Sequence, residues 1–219
     1  AVELNPNDGL IRTMNSWMLM LEGHHDEGVR EAEKAVELDP LSHFARCNLM
    51  GWYYAVHRFV DSRAEAGRIL EMDSTWMPAI DQLYRISFQE GKLEEAIVHA
   101  RKAWALGSGT KVPDHISWPQ YRELDLRTIE KMARNDDLWV GTAAMEFAMF
   151  GEKEKALFWL QKAADRNNLV LLILFYPDFD CLRDDPRFAK IVSQVHLPVP
   201  AYCTIDQKKS SQGGQKKIP

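Results

Sequence analysis

The sequence is short of cysteine, of long apolar runs and of basic charge, and each shortage closes off a class of function. Three cysteines, Cys47, Cys181 and Cys203, stand far apart among 219 residues. An odd number at irregular spacing fits neither a disulfide framework nor a paired-thiol metal site, so reduced thiols and a cytoplasmic setting are expected. The longest continuous apolar stretch, Leu169 to Tyr176, has eight residues, far fewer than the roughly 20 that carry a helix across a bilayer. No membrane span is expected in this segment. A formal charge of −5 leaves no clustered Lys and Arg to neutralise phosphates, which argues against direct nucleic-acid binding. Missing as well are H-E-x-x-H, G-x-S-x-G, the phosphate-cradling G-x-x-x-x-G-K and paired Cys motifs. The residues therefore point to no catalytic group, no metal and no cofactor, and the chain reads as a non-enzyme.

What is present is an echo that returns about every 34 residues, a period typical of helical-hairpin arrays. Ala1, Ala35, Ile69 and Ala103 occupy equivalent places, as do Leu4, Leu38, Met72 and Leu106. In the same register Gly28, Ser62 and Ala96 form one series of small residues, and Ala32, Ala66 and Ala100 another. Repeats of this length are supersecondary units that cannot bury their apolar face alone, so neighbours must stack. Apolar spacing predicts helical pairs at about 10–22 with 26–38, 43–56 with 60–72, and 78–89 with 93–106. Gly23 and Gly91 end first helices where a left-handed residue is needed, and Pro40 follows Asp39 where a second helix stops. His57 holds the glycine place of the middle pair, where left-handed geometry costs about 1–2 kcal/mol. By this register AVELNP at the start matches AVELDP at 35–40, so positions 1–8 read as the end of an earlier repeat.

The segments GHHDEGVREAEKAVELDP and GKLEEAIVHARKAWALGS resemble the second half of a tetratricopeptide repeat. The resemblance covers most of the chain and implies an all-α fold, a right-handed α-solenoid of antiparallel helix pairs. It implies packing roles for Gly28, Ala32, Ala35, Ser62, Ala66, Ala96, Ala100 and Ala103. On the first helices the family favours a large aromatic, then Leu, then a small residue. Here those places hold Arg12, Asn15 and Ser16, then Arg46, Leu49 and Met50, then Ile80, Leu83 and Tyr84. A fourth unit returns at GEKEKALFWLQKAADRN, with Gly151, Ala156 and Ala163 in the same relative places. The interval from Ala103 to Ala163 exceeds one repeat, and the excess falls between about positions 111 and 136. The organisation expected is thus repeats at 9–42, 43–76 and 77–110, an inserted loop and extra helix at 111–136, a fourth repeat with a capping helix at 137–197, and a disordered tail at 198–219. Within the insert, Pro119 to Arg134 is the helical part; Asp185 before Pro186 starts the final helix. The fourth unit and its ending are similar to the carboxy-terminal region of bacterial winged-helix transcriptional regulators, cyclase-like proteins and serine/threonine kinases.

In that family the first helices line a channel that binds a protein or peptide. Carried over by position, the channel here comprises Thr13, Trp17, Met20 and Leu21, then Cys47 and Tyr54, then Asp81, Arg85, Phe88 and Gln89. Trp17, Tyr54 and Phe88 are its apolar anchors, with Asp81 and Arg85 setting orientation. The competing reading is that these aromatics pack between the pairs. A clamp for a terminal carboxylate is not expected, because Asn48 fits but Thr13, Trp17, Pro78 and Gln82 do not. His24, His25 and Asp26 read as a solvated turn, since adjacent rings do not converge easily on one ion. Asp178, Asp180, Asp184 and Asp185 lack the spacing of a calcium loop and read as helix caps. The expected function is a non-catalytic protein-interaction module of a larger signalling or regulatory protein, with a small-ligand sensor as the alternative.

Overall fold

The computed structural model of the protein describes residues 5–107, 109 and 111–194. Ala1, Leu4, Cys203 and the expected tail lie outside the described residues. Among those described, every regular element is helical, and consecutive helices pack on one another. Two compact units divide the chain, Ala1–Met20 with His24–Glu123, and Leu21–Gly23 with Leu124–Pro219.

In the first unit the pairs are α1 (Gly9–Leu21) with α2 (His25–Leu38), α3 (His43–Ala55) with α4 (Phe59–Met72), and α5 (Met77–Gln89) with α6 (Leu93–Gly107). Each helix lies within a residue of the span its apolar spacing predicts. Local chemistry sets the starts. The Ser42 hydroxyl accepts a hydrogen bond from the Ala45 N–H at 3.2 Å, Pro78 stands in the first turn of α5, and Glu94 and Glu95 face the positive end of α6.

One closing turn ends the first helix of each pair. The N–H groups of His24, Arg58, Lys92 and Glu152 each donate to a carbonyl in the last turn of the helix before, at Leu19, Tyr53, Ser87 and Phe147, every one at 2.8 Å. The residue before each donor is left-handed: Gly23 at φ 85°, His57 at 59°, Gly91 at 72° and Gly151 at 75°. This is the helix ending in which a left-handed residue lets orphan carbonyls find donors. His57 adopts it despite its side chain. The first three turns are one repeat apart, and the fourth is delayed by the insert that the echo already shows.

Small side chains permit the close approach within each pair. A Cβ on Gly28 would sit 2.8 Å from the Met20 sulfur and 3.2 Å from the Ser16 carbonyl. At the equivalent place the Ser62 hydroxyl donates to the Met50 carbonyl at 2.8 Å. Met50 and Tyr84, the large residues in first-helix places expected to be small, are both buried. Met50 joins a cluster with Ala66, Ile69, Ala79 and Leu83, and the Tyr84 ring meets Tyr121 at 6.2 Å. Ala32, Ala35, Ala66, Ala96 and Ala100 are buried. Ala103 is half-buried.

The helix α7 (Trp118–Asn135) begins in the first unit. The second unit contains α8 (Val140–Met149) and α9 (Lys153–Asp165), three short 3-10 helices, Asp137–Trp139, Leu169–Ile173 and Pro177–Leu182, and α10 (Pro186–Gln194). Ala156 and Ala163 are fully buried, as are Phe147, Leu174, Phe175, Phe179, Leu182 and Phe188. Gly141 is required by packing: a Cβ there would lie 2.4 Å from the Asn168 side-chain oxygen and 2.9 Å from the Val170 Cβ. The Arg183 guanidinium secures the run beneath, donating to the carbonyls of Phe175 at 3.0 Å and Tyr176 at 3.1 Å. The Asp185 carboxylate accepts from the Arg187 N–H at 2.8 Å and so caps α10.

Candidate functional site

The expected channel is largely committed to internal contacts. Of the residues expected to line the channel, Thr13, Met20, Tyr54, Arg85 and Phe88 are buried. The physical reason differs at each. Thr13 donates its hydroxyl proton to the Gly9 carbonyl at 2.9 Å, and Met20 lies against the bare Cα of Gly28. The Tyr54 ring packs near Phe59 at 5.5 Å, and its hydroxyl accepts from Gln89 at 3.4 Å. Arg85 donates to Asp81 at 2.8 Å. Phe88 meets the ring of Trp118 at 5.6 Å.

Trp118 and Tyr121, outside the expected channel set, meet two of the first-unit aromatics. Their rings, 5.5 Å apart, join Tyr84 and Phe88 in one aromatic group. The helix expected over Pro119 to Arg134 includes Tyr121 and stops one residue short of Trp118, with which α7 begins. Trp17, Cys47, Asp81 and Gln89 remain partly accessible. Trp17 stands edge-on to Trp52, centroids 4.5 Å apart, and the Cys47 sulfur accepts from the Trp76 indole N–H at 3.1 Å.

Charged side chains tie the pairs together in a pattern that repeats. Arg12 meets Glu31 at 2.7 Å and donates to the Pro6 carbonyl at 2.7 Å; Arg46 meets Glu65 at 2.7 Å and donates to the Pro40 carbonyl at 2.6 Å. Lys34 and Arg68, also one repeat apart, complete each carboxylate's surroundings. Burial opposes the charged form of Glu31, but hydrogen bonds from Lys34 and Arg12 outweigh it and hold the carboxyl below its usual range. Successive units are joined by Arg63, which reaches both Glu90 at 2.7 Å and Glu95 at 2.5 Å. Behind it, Tyr53 donates to Glu33 at 2.8 Å. Burial, then that carboxylate, pushes the phenol well above its ordinary range. These side chains hold structure; none aims a nucleophile at a base.

The remaining candidates are dispersed. His24 and Asp26 are exposed on either side of the half-buried His25. Asp178 is buried, Asp180 accepts from Arg183 at 2.7 Å, Asp184 is exposed and Asp185 caps a helix. Among the described residues no three His, Cys, Asp or Glu gather as a metal-holding group. Burial raises the thiol pKa of Cys47 and of Cys181, whose S–H donates to the Ala148 carbonyl at 3.1 Å. A raised thiol is a poor nucleophile near neutrality. No helix among the described residues is long and apolar enough to cross a membrane.

These features define the class: an all-helical protein of consecutively packed pairs closed by one recurring turn. Comparison with protein-family models finds no match for the sequence, and comparison with curated proteins finds none.

Proposed function

We propose that the chain is a non-catalytic protein-interaction scaffold, a right-handed solenoid of tetratricopeptide type from a bacterial signalling or transcription-regulatory protein. The observation that carries this reading is the closing turn that ends the first helix of every pair with the same 2.8 Å hydrogen bond. Stacked units of this kind grow by nearest-neighbour contacts and offer extended surfaces for partners. Of the channel residues, Trp17, Cys47, Asp81 and Gln89 are partly accessible and are the ones a peptide would reach.

A capture experiment tests it. Immobilised chain is expected to retain a specific protein that the Trp17→Ala and Asp81→Ala variants release. A metabolite that raises the melting temperature, with no protein retained, would replace the scaffold by a small-ligand sensor.

A further inference from the structure

We infer that the edge where successive helical pairs are linked is a docking surface for a basic amphipathic helix of a partner protein. This goes beyond the scaffold reading and does not depend on the channel. The closing turns lie at one end of the pairs, and the links 39–42 and 73–76 lie at the other. Around these two links five large apolar side chains, Leu38, Leu41, Phe44, Met72 and Met77, are between 36% and 76% exposed. The links adjoin, since the ring of His43 lies 4.6 Å from that of Trp76. All five side chains stand inside the first unit, with described helices before and after them.

The charge of this edge is one-sided. Glu37, Leu38 and Asp39 at the end of α2 return one repeat later as Glu71, Met72 and Asp73 at the end of α4, with an acid on each side of an exposed apolar residue. Neither helix has a basic residue in its last turn, although the carbonyl end of a helix dipole favours cations. Glu37, Asp39 and Glu71 are exposed and form no ion pair among the described residues. Asp73 accepts from the Thr75 hydroxyl at 2.7 Å and N–H at 2.9 Å, neutral donors that leave its charge uncompensated. The cations that reach this end are already held. Arg46 donates to Glu65 and to the Pro40 carbonyl, and Lys102 donates to the Ser74 carbonyl at 2.8 Å.

These features select the occupant. Carboxylates interleaved with apolar side chains repel a nucleic acid or an anionic lipid surface, and they attract a partner whose cations stand beside its apolar groups. No sheet edge among the described residues offers backbone hydrogen bonds to an extended peptide. A segment laid on this edge therefore has to satisfy its own backbone, as a helix does. A helix with apolar residues on one side and Lys or Arg along the margins of that side meets both demands. Its cations also stand against the negative ends of α2 and α4, supplying what those last turns lack.

The test titrates the full chain with a synthetic helical peptide that carries leucine on one face and lysine on the other, and follows binding by chemical-shift changes. Saturable binding is expected, with shifts centred on residues 37–44 and 71–77, and a peptide with glutamate for every lysine should not bind. Glu37→Lys with Glu71→Lys should weaken binding at least about tenfold. Lysine at those helix ends favours the fold, so that loss does not come from unfolding. Phe44→Ser with Met77→Ser, both exposed, should weaken it as much, with circular dichroism checking the fold. Glu27→Lys with Glu94→Lys makes the same change of net charge at exposed places in the first turns of α2 and α6 and should leave affinity unchanged. The inference is overturned by equal affinity of wild type and the Glu37/Glu71 variant, or by no saturation up to about 1 mM peptide. An equal loss in the Glu27/Glu94 variant, or equal binding of the glutamate peptide, overturns it too, because the edge would then show no charge preference of its own. A dimer of the chain that Phe44→Ser with Met77→Ser dissolves also overturns it, giving the edge to a second copy.

Discussion

The guanidinium of Arg46 lies 2.7 Å from the carboxylate of Glu65 and joins α3 to α4, with Glu65 buried and Arg46 mostly covered. The next unit has Ile80 and His99 in the corresponding places, so the fold tolerates an apolar side chain where Arg46 stands. Removing one partner is a different matter, because it strands a buried charge. Glu65→Ala is expected to cost about 3–5 kcal/mol. Glu31→Ala should cost less, since its pair is more open to water. Adding Arg46→Ile to Glu65→Ala should recover much of the loss. Denaturant unfolding of the single and double variants measures this, and a double variant no more stable than Glu65→Ala would show that the pair is not coupled.

His57 holds a left-handed conformation that glycine holds at the end of every other first helix. His57→Gly is therefore expected to stabilise by up to about 1 kcal/mol, the relief of strain being offset by the lost contact of its ring with Phe59 at 5.6 Å. Gly91→Ala has the opposite sign, a loss of about 1–2 kcal/mol, although nothing lies within 4 Å of the added methyl. Thermal melts of the two variants shifting in the same direction would contradict this account.

These turns show why the helical pairs are legible in the sequence and the contacts of the expected channel residues are not. Gly23, Gly91 and Gly151 announce a backbone state that few residues adopt, and apolar positions three and four apart mark the helices, so both are properties of neighbouring residues. The surroundings of Tyr54 and Phe88, by contrast, come from residues far along the chain, Gln89 and Trp118. Arg12 and Arg46 were visible as departures from an aromatic position. Their partners, Glu31 and Glu65, lie at one and the same separation along the chain and recur with the repeat. That signal becomes readable once ion pairs across a helical pair are sought.

Small residues at the contact between paired helices should not accept charge. Ala96 is fully buried and Ala100 nearly so, and a new carboxylate at either place would be shut away from water. Ala100→Asp and Ala96→Asp are each expected to cost about 3 kcal/mol or more, enough to unfold a marginal domain. The same change at Val98, exposed on the other side of α6, should be nearly neutral. Circular-dichroism melts decide: equal midpoints for Ala100→Asp and Val98→Asp would break the register on which the helical pairs rest.

Stability should fall in two stages as pH is lowered. His99, half-buried, has its pKa lowered chiefly by burial, against the pull of Glu95. A depressed folded value means stability present above the unfolded pKa, near 6.5, and lost as pH falls through the folded one. The carboxylates follow the same sign. Hydrogen bonds from Arg187 bring Asp185 down to about 2. Glu130 is held low by Arg134 and Lys155, and Glu90 by Lys92 and Arg63 against the opposing effect of burial. Their contribution is complete above about pH 5 and is lost progressively toward pH 2. Urea unfolding at pH 7.5, 5.5 and 3 is expected to give steadily lower midpoints. His99→Gln should flatten the first step, and Asp185→Asn part of the second. Midpoints that stay level from pH 7.5 to 3 would mean that these ion pairs contribute nothing to holding the helices together.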